Sequence, residues 1–214
     1  TAQTAFEFLP EDQVMPFISK REISAGGPII MMQICNEIGV FSWLVHQGDY
    51  GEEVKRRFIS FLSNEFNDIE QLNKLWATKY SRFEQAELLP DGREPYRSGE
   101  DRSRDYEWHC FWRTYYGDYL RMLTQMARDR GVTVPFYHNL PGWIYGHGYE
   151  FPVNITMYED LFGDKSEIIF GIDHIPEFLS HRNMHDDRII NDITAAMQGN
   201  KPLFAAEFQC GSRE

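Results

Sequence analysis

Gly26-Gly27-Pro28-Ile29-Ile30-Met31-Met32-Gln33-Ile34-Cys35-Asn36-Glu37-Ile38-Gly39 decides the fold. A turn opens it, a nearly continuous apolar run follows, and an amide and a carboxylate stand where the run ends. Apolar runs without alternation suit strands buried on both faces, as in a parallel sheet covered by helices. In a barrel of such strands, chemistry sits at their C-terminal ends. Asn36-Glu37 puts a hydrogen-bonding amide beside a potential general acid at that point. A strand that simply runs into a polar loop would look the same, so a second strand end must supply the partner carboxylate.

Lys201-Pro202-Leu203-Phe204-Ala205-Ala206-Glu207-Phe208-Gln209-Cys210-Gly211 has the same design, a polar lead-in, a short apolar run and a terminal glutamate. Glu37 and Glu207 are far apart in sequence, but the ends of different barrel strands converge on one mouth. Two carboxyl groups about 5–5.5 Å apart form the acid/base and nucleophile pair of a retaining glycosidase.

The segments between them read as alternating strands and helices. Residues 11–22 predict an amphipathic helix with Val14, Phe17 and Ile18 on one side, and a first strand covers about 29–35. Val54, Phe58 and Phe61-Leu62 recur at helical spacing, and Asn67–Trp76 predicts a short capped helix. Residues 88–105 form a polar loop. A long helix over 105–130 carries Trp108, Phe111, Trp112, Tyr115, Tyr119, Met122 and Met126 on one face as core, with Gly131 as its cap. Strands follow at 132–137, ending at His138-Asn139, and at 168–172, ending at Asp173-His174. A helix over 184–198 precedes the last strand, about 202–206. Strand–helix repetition implies right-handed parallel crossovers and an α/β class.

Composition narrows the class. The 214 residues are 42% hydrophobic and 25% charged, as in a globular domain with its own core. No apolar run reaches the length of a membrane helix. A formal charge of −12 argues against a nucleic-acid partner and is compatible with a neutral ligand such as a sugar. Cys35, Cys110 and Cys210 give neither a zinc spacing nor a disulfide framework and are expected to be reduced, buried thiols. His46, His109, His147, His181 and His185 lack metal-ligand spacing and read as ordinary polar residues. Localisation is not readable, and homo-oligomer formation is left open.

The segment Gly26-Gly27-Pro28-Ile29-Ile30 followed by Asn36-Glu37 resembles the acid/base strand of glycoside hydrolase families 35 and 42, the β-galactosidase-type (β/α)8 barrels. Leu72-Asn73-Lys74-Leu75-Trp76-Ala77-Thr78 resembles the family 42 segment Leu-Asn-x-x-Trp-Gly-Thr, with Ala77 in place of the glycine. Asp173-His174-Ile175-Pro176 stands where family 42 carries Asp-Asn-Tyr-Pro, so Ile175 replaces a tyrosine expected to hydrogen-bond the nucleophile.

The resemblance implies part of a TIM (β/α)8 barrel, about strands 4 to 7 over residues 1–214, with strands 1–3 and 8 outside this sequence. It also implies a β-galactosidase-like retaining hydrolase with Glu37 as acid/base and Glu207 as nucleophile. Asn36 would bind the sugar 2-hydroxyl, and no metal or organic cofactor is required. His138, Asn139 and Trp143, in Phe136-Tyr137-His138-Asn139-Leu140-Pro141-Gly142-Trp143, and Asp173 and His174 are the other candidate sugar contacts, since a sugar pocket combines polar groups with a ring face. A barrel that binds carbohydrate without turnover, and a cellulase- or mannanase-type relative, are the alternatives.

Overall fold

The computed structural model describes residues 11–38, 50–88, 99–141, 162–163, 166–174, 191–192 and 194–208. The chain divides into two compact units. One comprises residues 1–37, 118–142 and 158–214, the other residues 38–117 and 143–157.

The first unit is built on four parallel strands in the order β1-β2-β3-β4: Met32–Gln33, Phe136–Pro141, Ile168–His174 and Phe204–Phe208. The four expected strands are present, with shifted boundaries. β1 pairs over two residues only, because the preceding segment folds back on itself. Ile29 gives its N–H to the Arg21 carbonyl at 3.0 Å and takes the Ile23 N–H at 2.8 Å. Gly27 makes this possible, since a side chain there would strike the Arg21 carbonyl.

β2 starts at Phe136, not Val132, because the groups before it are used elsewhere. Val132 N–H bonds the Ala127 carbonyl, Arg128 Nη1 takes the carbonyls of Val132 and Val134, and Thr133 N–H goes to the Glu22 carboxylate at 2.8 Å. Burial opposes ionisation of Glu22, yet donors from Thr133, Val134 and Ser24 outweigh it and lower its pKa. The carboxylate thus ties the segment ahead of β1 to the segment ahead of β2. β3 and β4 each run two residues further than expected, so Asp173 and Glu207 lie inside the ladder.

One face of this sheet is packed by Ile34, Phe136, His138, Ile168, Phe170 and Ile172, all buried. Phe162 stacks on His138 and lies tilted against Phe170, and Gln198 Oε1 accepts the Phe170 N–H at 2.7 Å. Lys201, the polar lead-in to β4, gives its ammonium to the carbonyls of Phe162 and Gly163, both at 2.6 Å, and of Ile168 at 3.2 Å. Charge-assisted bonds of this kind contribute about 1.5–3 kcal/mol each. Lys201→Met in the intact protein should therefore cost about 2–3 kcal/mol of stability by urea unfolding; a loss below the scatter of the measurement would show the ammonium to be dispensable.

Helix α1, Glu11–Ser19, is shorter than the expected 11–22. Its Phe17 is exposed under the Arg21 guanidinium rather than turned to the core. Residues 194–198 are helical ahead of β4.

The second unit is helical. Helices α2, Glu52–Glu65, and α3, Ile69–Trp76, bury Val54, Phe58 and Leu62, and Leu72 and Trp76. Asp68 caps α3 by accepting the Gln71 N–H. At the other end Asn73 Oδ1 accepts from Thr78 Oγ1 and Tyr80 N, both at 2.8 Å, while Ala77 adopts φ 51°. The motif Leu-Asn-x-x-Trp-x-Thr is thus a helix stop, and Ala77 occupies the left-handed position that suits glycine. Trp76 is core, with Phe58 stacked at 6.4 Å.

Helix α4, Gly99–Asp129, begins six residues before the expected start, with Glu100 and Asp101 favourably placed at the positive end of its dipole. Its buried stripe runs Trp108, Phe111, Trp112, Tyr116, Leu120, Thr124 and Ala127, with Leu120 and the residues after it in the first unit. Tyr119 and Met122, expected in the core, are exposed, because the true period of 3.6 carries the stripe past them.

Candidate active site

In a parallel sheet, paired residues share a face and neighbours along a strand alternate. Gln33 pairs with Tyr137, and Asn139 pairs with Gly171 two residues before Asp173. Gln33, Tyr137, Asn139 and Asp173 therefore share the face opposite the buried apolar one. Glu207 joins them in register with Asp173.

Asn139 is fully buried and stands at the centre. Its Oδ1 accepts the backbone N–H of Glu37 at 3.2 Å and Nε2 of Gln33 at 2.6 Å. Its Nδ2 donates to Glu207 Oε1 at 3.0 Å and to both Asp173 oxygens at 3.1 and 2.9 Å. One amide thus links the backbone of the first glutamate to the carboxylate of the second. Gln33 extends the network, donating to Asn36 Oδ1 at 3.0 Å and accepting from Tyr137 Oη at 3.1 Å.

Asp173 and Glu37 hydrogen-bond through their carboxyl groups. Burial, then the charges of Glu207 and Glu37, push Asp173 up to about 7 against the opposing Asn139 bond. Burial also raises Glu37; the Asp173 hydrogen bond works against this and the Glu207 charge adds to it. Carboxyls this close do not ionise independently, and Glu37 and Asp173 titrate as a pair, both raised by burial.

The backbone around Glu37 is unusual. Cys35 and Glu37 have φ of 62° and 42°, left-handed values rare outside glycine. Each such residue costs of order 1–3 kcal/mol and persists only where the surroundings hold it. Here the Glu37 N–H is held by Asn139. Cys35, expected to be buried, is exposed.

The sequence-derived candidates divide on this geometry. Glu37, Glu207, Asn36, Asn139 and Asp173 come together in one hydrogen-bonded cluster. His138 does not. It points to the apolar face, with Nδ1 at 2.7 Å from the Ile34 carbonyl and 3.2 Å from that of Cys35, and burial holds it down at about 4, so it is neutral. His174 is described by its backbone alone, and Trp143 and Ile175 lie outside the described residues. His109 sits with Nδ1 at 2.7 Å from the Asp105 carbonyl, in the helical unit. Gln33 was not among the candidates, although a lone amide inside an apolar run four residues before Glu37 was the available signal. Among the described residues no group of three or more His, Cys, Asp or Glu is arranged to hold a metal ion.

A family model described as Beta-galactosidase, glycoside hydrolase family 42, matches residues 21–213. The chain belongs to this family. A β-1,2-glucosyltransferase of Ignavibacterium album is 43% identical to this family 42 chain over 203 residues, 95% of the chain and 28% of the relative. The crystal structure of a β-galactosidase from the psychrophilic Marinomonas ef1 matches with a TM-score of 0.55 at 15% identity, over 91% of this chain and 30% of that one. That likeness concerns the fold: the four parallel strands and their helices are part of a TIM-barrel arrangement. The chain spans less than a third of the length of either protein. Among the described residues no helix is long and apolar enough to cross a membrane.

Proposed function

We propose that the intact protein processes β-glycosides with retention of configuration, using Glu37 and Glu207, and that residues 1–214 supply about strands 4 to 7 of its catalytic barrel. The observation that carries this is the Asn139 amide, bonded at one end to Glu37 and at the other to Glu207. A family of glycoside hydrolases is the context in which two such glutamates have a use.

In the first step Glu37 gives its proton to the leaving oxygen as the glycosidic C–O bond breaks. A Glu207 carboxylate oxygen bonds the anomeric carbon. In the second step Glu37, now a carboxylate, takes a proton from an incoming O–H, whose oxygen displaces Glu207. Both groups return to their starting states. A pKa raised by burial and by the Glu207 charge, against the opposing Asp173 hydrogen bond, suits Glu37 to the acid role. Asn36, held by Gln33, is available for the sugar 2-hydroxyl.

Water as the incoming group gives hydrolysis, the activity the family description suggests. A sugar hydroxyl gives transfer, a second reading favoured by the name of the 43% identical relative, a β-1,2-glucosyltransferase. Nitrophenyl β-galactoside and β-glucoside, each offered to the full-length protein with and without glucose as acceptor, separate them. Nitrophenol release that rises with acceptor, with a disaccharide product, indicates transfer. Release unaffected by acceptor indicates hydrolysis. No release from any activated β-glycoside, with binding intact, would replace both readings by a binding module.

A further inference from the structure

Strand parity alone would turn Glu207 away from the site. β3 and β4 pair Gly171 with Phe204 and Ile172 with Ala205. Continued regularly, the ladder would set Asp173 against Ala206 and His174 against Glu207, leaving Glu207 on the face opposite Asp173. The observed register instead skips Ala206 and pairs Asp173 with Glu207. This is a β-bulge, rare between parallel strands, and bulges re-aim side chains.

Gly171 lies directly against that bulge. A Cβ built on it would meet the Ala206 Cβ at 2.5 Å and the Phe204 ring at 3.2 and 3.3 Å. Left-handed backbone does not explain the glycine, since among the described residues the positive-φ glycines are Gly26, Gly131 and Gly199. A glycine inside a strand costs about 0.5–1 kcal/mol relative to alanine. Its return here is space for the extra residue of β4.

We propose that Gly171 is the positioning residue for Glu207: its missing side chain admits the bulge at Ala206, and the bulge turns Glu207 onto the face of Asn139 and Asp173. The claim about catalysis rests on Glu207 being the nucleophile; the claim about register does not.

The test uses four forms of the full-length protein: wild type, Gly171→Ala, Ala206→Gly and the double variant, which removes the methyl that the new Cβ would strike. The probes are 2,4-dinitrophenyl 2-deoxy-2-fluoro-β-glucoside and the corresponding galactoside, with the labelled peptide identified by mass spectrometry. Misplacing a reacting group by about 1 Å costs on the order of 100-fold, so Gly171→Ala should label at Glu207 about that much more slowly. Ala206→Gly should label at the wild-type rate, and the double variant should recover most of it. A merely structural glycine would lower stability without this reciprocal rescue. A Gly171→Ala protein that fails to fold, beside a double variant that folds and labels, also supports the proposal. Wild-type labelling by Gly171→Ala, or a folded double variant as slow as the single one, overturns it. If the wild type itself takes no label, the double-displacement reading fails, and crystal structures of the variants decide the register claim alone. Loss of the Asn139–Glu207 hydrogen bond in Gly171→Ala and its return in the double variant support it; an unshifted bulge in Gly171→Ala overturns it.

Discussion

Glu207→Gly in the full-length protein should abolish turnover, by on the order of 10^6-fold, the scale seen when a covalent nucleophile is deleted. Azide should then enter the vacated space and displace the leaving group once, giving the α-glycosyl azide. Glu37→Gly should behave differently. Without the acid, poor leaving groups suffer by roughly 10^2–10^4-fold, whereas a dinitrophenyl glycoside still forms the glycosyl-enzyme. That intermediate accumulates because no base activates the acceptor, and azide should release it as the β-glycosyl azide. Opposite anomers from two substitutions on strands β1 and β4 would assign both roles. The same anomer from both, or no azide product from either, would break the assignment.

Asp173→Asn should move the alkaline limb of the kcat/KM profile toward lower pH. The limb reports loss of the last proton held between Glu37 and Asp173, which titrate as a unit. An asparagine brings no negative charge to repel a Glu37 carboxylate, and its amide can donate to it. Both effects favour ionised Glu37, so the proton leaves earlier.

Stability should respond in the same experiment series. Asp173 stands near 7 in the folded chain against an ordinary 3.8, so the native state binds the extra proton between those values. Its contribution is complete below about pH 4 and is lost as pH rises toward 7, on the order of a few kcal/mol at the upper limit. Urea midpoints of the variant should therefore vary less between pH 4.5 and 7.5 than those of the wild type. Superimposable pH profiles and midpoints would show that Asp173 carries no proton of consequence.

The sequence made the strands legible because each contains or follows a short apolar run, which in β2 and β3 supplies residues to the buried face of the sheet. It also singled out Glu37 and Glu207 as candidates, since each is the first charge after such a run. Facing was harder. His138 and Asn139 are adjacent polar residues in one strand, and only the pleat decides that Asn139 enters the cluster while His138 stacks on Phe162. Periodicity without register cannot assign that phase. Glu207 was harder still, because the skipped Ala206 breaks parity within β4 and nothing in Phe204-Ala205-Ala206-Glu207 announces it. Asn139 read as a sugar contact because an isolated amide reveals donors and acceptors but not their partners. The start of β2 was misplaced because Val132-Thr133-Val134 has strand composition, while Glu22 and Arg128, distant or helical, claim its backbone groups.

β1 pairs with its neighbour over two residues, and the path from there to Glu37 follows β2 instead of a ladder. Tyr137 offers its carbonyl to the Ile34 N–H, His138 faces the carbonyls of Ile34 and Cys35, and Asn139 takes the N–H of Glu37. Three consecutive residues of one strand thus act as a template for the end of another. For protein engineering, this separates the proposed proton donor from the means of adjusting it. Variation at 137–139 can reorient Glu37 while leaving its own codon untouched, and a lineage drifting toward a new acceptor has the same short stretch at its disposal.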